Sequence, residues 1–63
     1  MNDDLQEIYA ISKRLQNWFA GAASSAEQKG DVRVARNHRE CQQIATDIAT
    51  MTGEALGMEG VAA

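Results

Sequence analysis

The sequence contains no proline, one cysteine and only three aromatic residues, Tyr9, Trp18 and Phe19. Each shortage removes a class of protein. Without proline, no ring geometry interrupts a helix anywhere in 63 residues. A single cysteine, Cys41, excludes a disulfide framework and suits a reducing compartment, so a cytoplasmic location is expected. Basic residues are also scarce: six Lys and Arg stand against nine Asp and Glu, for a formal net charge of −3. That balance disfavours direct binding of nucleic acid through its phosphates. No apolar run approaches the ~20 residues of a membrane span. The start, Met1, Asn2, Asp3, Asp4, has neither the basic region nor the apolar run of a secretory leader, so none is expected.

What is present is 44% hydrophobic, but alanine is the commonest member of that set. In a chain this short, burial at ~25 cal/mol per Å² roughly cancels ~1.5 kcal/mol of ordering entropy per residue. With no disulfide and no evident metal cage, oligomerisation is the remaining staple. A homodimer is therefore expected.

The periodicity is helical almost throughout. Ile8, Ile11, Leu15, Trp18 and Ala22 follow heptad a/d spacing, and Val34, Cys41, Ile44, Ile48, Met51, Ala55 and Met58 continue such a pattern in a second segment. The fold class is all-α, and the economical architecture is an antiparallel two-helix hairpin forming a single domain over 1–63. Helix 1 is expected over about 4–27, a turn over about 28–31, helix 2 over about 32–56, and a frayed tail over 57–63, because Gly53, Gly57 and Gly60 erode helix propensity. Asp3 with Gln6, or Asp4 with Glu7, offers a capping-box-like start. Gly30 followed by Asp31 supplies a C′ glycine and a fresh N-cap. A competing break lies at Ser24 and Ser25, which form capping-box patterns with Glu27 and Gln28; the Gly30 break is preferred.

Folding the segments back gives a register. If a positions meet d positions, the layers are Ile8 with Met51, Ile11 with Ile48, Leu15 with Ile44, Trp18 with Cys41 and Ala22 with Asn37, which centres the turn between Lys29 and Gly30. Arg14 then lies near Asp47, Phe19 near His38, and Glu7 faces Glu54. An acid at Ile44 or Ile48 should unfold such a seam. Leu5, Phe19 and Ala26 form a second stripe on helix 1 that one hairpin cannot also bury. Two hairpins related by a twofold axis would cover it as a four-helix bundle.

Few residues point to chemistry. His38, Cys41 and scattered carboxylates do not assemble a nucleophile, a base and an orienting group, and two helices provide no deep cleft, so neither an enzyme nor a cofactor is expected. His38 and Cys41 share a helix face, and a dimer would gather two such pairs, the four ligands of a structural zinc. The plainer account, which we prefer, is a core thiol and an imidazole packed on Phe19, with no metal.

Arg33, Arg36 and Arg39, with His38 among them, concentrate half of the basic residues at the start of helix 2, where the helix dipole favours acids. They are either a solvated face neutralised by Glu40 and by acids of helix 1, or a site for an anion or an acidic partner. Glu40, Asp47 and Glu54 recur every seven residues along one edge, a stripe that either solubilises or engages a basic surface. Trp18 and Phe19 lie ~100° apart on a helix. Both serve the core, the favoured reading, or one stays partly exposed as an interface anchor.

Trp18 and Phe19 late in helix 1, Arg36 and Arg39 followed by Glu40, and the run Ala49 to Leu56 with Gly53, Glu54 and Ala55 together resemble small phage-encoded helical-hairpin inhibitors of host regulators, among them quorum-sensing anti-activators. The resemblance covers roughly residues 15–56. It implies a homodimer that inhibits a host transcriptional regulator or defence component by direct binding. Cys41 and the glycine-bearing tail depart from that pattern. Two other functions fit the residues: a sponge for a phosphorylated nucleotide signal held by the arginines, and a structural or assembly role in a larger particle.

Overall fold

A computed structural model describes residues 3–57. It contains two helices, α1 (Asp3–Gln28) and α2 (Val32–Ala55), packed antiparallel in a layer 43 Å long, 23 Å wide and 13 Å thick. Neither helix is long and apolar enough to cross a membrane. Both helices lie within a residue of their expected bounds. Met58 and the rest of the expected tail lie outside the described residues, while Gly57, at φ +74°, ends α2 by donating its N–H to the Glu54 carbonyl at 3.0 Å.

The turn forms at Gly30. Its φ of +78° is open to glycine, and its N–H donates to the Glu27 carbonyl at 3.1 Å while the Asp31 N–H donates to the Ala26 carbonyl at 2.9 Å. This pair of bonds is a Schellman closure. α1 runs unbroken through Ser24 and Ser25, so the competing break does not occur. Asp31 occupies the N-cap position, where its carbonyl accepts from the Ala35 N–H at 3.0 Å, but its side chain makes no capping bond. Its ψ of 80° falls short of the extended backbone from which a cap side chain reaches the first turn.

The seam between the helices corrects the expected register. Ile8, Ile11, Leu15, Ile44 and Met51 are exposed, and Cys41 and Ile48 only half-buried. Buried or half-buried positions instead recur at Leu5, Tyr9, Ser12, Gln16, Phe19, Ala23 and Ala26 on α1, and at Ala35, His38, Gln42, Ala45, Ala49 and Thr52 on α2, with Leu56 just past its end. Taken as antiparallel layers, these rows pair Leu5 with Leu56 and Ala26 with Ala35, which moves the centre of the turn one residue on, between Gly30 and Asp31. Phe19 does stand beside His38, with ring centroids 5.9 Å apart. Arg14 and Asp47 form no ion pair; Asp47 accepts from Gln43 Nε2 at 2.9 Å.

The physical reason is size. Two helices alone gain most by close approach, and Ala, Ser, Thr and Gly permit the short end of the ~8–10 Å range of interaxial distances. Gly53 illustrates the fit, since a Cβ there would meet Tyr9 Cε1 at 3.3 Å. Thr52 is buried without an orphaned hydroxyl, because it donates to the Ile48 carbonyl at 2.8 Å and the Ala49 carbonyl at 3.2 Å. The stripe of Leu5, Phe19 and Ala26, expected to await a second hairpin, is thus part of the intramolecular seam. Ile8, Ile11, Leu15, Trp18, Ile44 and Met51 are left exposed outside it.

Candidate interaction faces

At 100° per residue, Ile8, Ile11, Leu15 and Trp18 lie roughly a quarter-turn from the seam on α1, and Cys41, Ile44, Ile48 and Met51 a quarter-turn from it on α2. Because the helices are antiparallel and face each other, both rotations carry these rows to the same side of the layer. The hairpin therefore has one broad apolar face. Its exposure is large: 62% for Trp18, 58% for Ile44 and 62% for Met51. Ile8, Met51, Leu15 and Ile44, expected as buried layers, therefore stand exposed on this face. Ile11, Arg14, Leu15 and Trp18 line a shallow depression of about 280 Å³ along its α1 side.

Trp18 and Phe19 separate as their ~100° offset requires. Phe19 is half-buried in the seam while Trp18 stands out, its ring edge-on to Phe19 at 5.1 Å and to His38 at 6.1 Å. The favoured core reading of both aromatics thus holds for Phe19 alone. The imidazole of His38 is flanked by two rings, and Cys41, a free thiol, is half-buried one turn further along. Among the described residues no third His, Cys, Asp or Glu joins the pair.

The opposite side is polar. Arg39 bridges the helices there, its guanidinium donating to Glu27 Oε1 at 3.0 Å and to Gln42 Oε1 at 3.0 Å. Both ends of the ion pair are about half exposed, so it is worth at most ~1 kcal/mol. Glu27, Val32, Ala35, Arg36 and Arg39 line an open depression of about 370 Å³. Arg33 is not among them, since a spacing of three residues turns each arginine 60° from the last. The three arginines wind around the outside of α2 and do not converge. Glu27 neutralises Arg39, as the solvated-face account requires of one helix 1 acid; Arg33 and Arg36 form no ion pair among the described residues. Glu40, Asp47 and Glu54 are exposed along the outer edge of α2.

Sequence reasoning overlooked Glu27 as the partner of Arg39, and Tyr9 as the ring that needs Gly53. The signal for the seam was available in small residues that share one helix face, Ser12, Ala23 and Ala26 against Ala35, Ala45 and Ala49. The chain matches no protein-family model, no curated protein and no solved structure.

Proposed function

We propose that this chain is a non-enzymatic interaction protein that self-associates into a four-helix bundle and binds a cytoplasmic host protein, such as a transcriptional regulator or defence component, inhibiting or modulating it in the manner its resemblance to phage-encoded inhibitors implies. The observation that carries the reading is the division of one thin layer into two unlike surfaces. An exposed apolar face of this extent marks an association surface, and an arginine-bearing polar face on the other side stays free for a second partner when the first is covered. On that polar face Arg39 is anchored to Glu27, whereas Arg36 forms no ion pair among the described residues.

Capture with the tagged full chain from host lysate tests this function. The expected result is one stoichiometric protein, retained with a tag at either end and lost in the double variant Arg33→Ala, Arg36→Ala. Absence of any stoichiometric protein with both tags sinks it.

A second reading is favoured by the depression that Arg36 and Arg39 share: a sponge for a phosphorylated nucleotide, with two arginines as phosphate ligands. Titration calorimetry against a nucleotide panel discriminates. Binding that disappears in Arg36→Ala and in Arg39→Ala supports the sponge, and no heat with any nucleotide rejects it.

A further inference from the structure

We propose that the apolar face formed by Ile8, Ile11, Leu15 and Trp18 of α1 with Ile44 and Met51 of α2 is covered by the same face of a second copy of this chain. The inference rests on the self-association proposed above and names the surface that carries it, which is not the Leu5, Phe19, Ala26 stripe.

Three observations converge on a second copy as the occupant. The first is the poverty of the seam: among the described residues no large side chain is fully buried, and those buried between the helices are Ala, Ser, Thr and Gly. A 63-residue chain with so little apolar volume inside it has no core of its own to offset the entropy of ordering. Its missing layer must be available wherever the chain itself is made, and another copy satisfies that condition without any other partner.

The second observation is area. The six side chains are two-fifths to three-fifths exposed, so together they present apolar surface on the order of the ~800 Å² per partner that a standard interface buries. The third is self-complementarity. The α1 row from Ile8 to Trp18 and the α2 row from Cys41 to Met51 have equal length, and in the seam register their midpoints fall about 3 Å apart along the hairpin. Neither row contains a charged residue, and Arg14 borders the α1 row at the depression it lines with Ile11, Leu15 and Trp18. A twofold axis between those midpoints lays apolar surface on apolar surface and closes with two copies. The acids Glu40, Asp47 and Glu54 stay at the solvated edge, and the Arg39–Glu27 side points away.

Trp18 is the only tryptophan, so the unaltered chain carries its own reporter. Light scattering, Trp emission and acrylamide quenching are followed together over a dilution series of the full chain. At tens of micromolar the expected state has twice the 6.8 kDa chain mass, with blue-shifted emission and quenching several-fold weaker than in the diluted protein, and mass and fluorescence change over the same concentrations. Ile44→Glu should raise the dissociation constant on the order of 100-fold, while Thr50→Glu, on the arginine side of α2, should leave it unchanged. A dimer in which Trp18 is as open to acrylamide as in the monomer, or one indifferent to Ile44→Glu, overturns the assignment of this face while leaving self-association standing. A folded monomer at every concentration overturns both. If Ile44→Glu loses its helicity, Trp18 in the unaltered chain still decides.

Discussion

The two apolar surfaces of this hairpin differ in the size of their side chains and, for that reason, in what they do. The inner seam is made of Ala23, Ala26, Ala35, Ala45 and Ala49 with Ser12 and Thr52, and it is where burial is deepest, reaching complete burial at Ala23. The outer face has Ile8, Ile11, Leu15, Trp18, Ile44 and Met51, and all six are exposed. Small side chains bring two backbones together but bury little area per residue. Large ones bury much area but need a facing layer to receive them. A hairpin one layer thick uses the first kind and leaves the second for association.

This contrast can be broken from the inside first. Ala49→Asp places an unpaired charge in the seam and is expected to abolish the helical circular dichroism signal, at a cost of several kcal/mol. Ala45→Leu, which only adds volume, should cost about 1–3 kcal/mol in denaturant unfolding by forcing the helices apart. Ile44→Leu on the outer face should cost well under that, and equal losses at positions 44 and 45 would erase the distinction between the surfaces. An acid at position 44, which a buried-seam register would translate into unfolding, is expected instead to act on association.

Smaller effects sharpen the boundary at the turn. Gly30→Ala should lose about 1 kcal/mol of stability, because a Cβ is disfavoured at φ +78° although no neighbour crowds it. The smallest effect belongs to the polar side, where a double-mutant cycle on Glu27→Ala and Arg39→Ala should give a coupling below about 1 kcal/mol that weakens further at high salt.

Much of the fold was legible in the residues. Gly30 announced the turn, the heptad spacing announced two helices of the observed extent, and the closeness of Phe19 to His38 survived even though the register that suggested it did not. The seam itself was not legible, because counting large apolar residues finds the wider stripe, and helix–helix approach is decided by the narrower one. Gly53 shows the same limit. Propensity alone marks it as a weakness in α2, whereas the Tyr9 ring 3.3 Å from its missing Cβ makes it a packing residue. The arginine cluster was visible as composition, but its division into a bridged Arg39, an open Arg36 and a diverging Arg33 required the helix phase and the position of Glu27 on the other helix.

The sequence by itself determined the local structure: helices uninterrupted by proline, a left-handed glycine where the chain reverses, and two apolar stripes on each helix. These follow from backbone geometry and from periodicities of three and four residues, which act within a few positions along the chain. Tertiary structure alone decided which stripe each helix turns toward the other. That choice weighs close backbone approach against buried side-chain area, and it is made between residues from nine (Ala26 and Ala35) to fifty-one (Leu5 and Leu56) positions apart, where spacing along the chain carries no information about size complementarity.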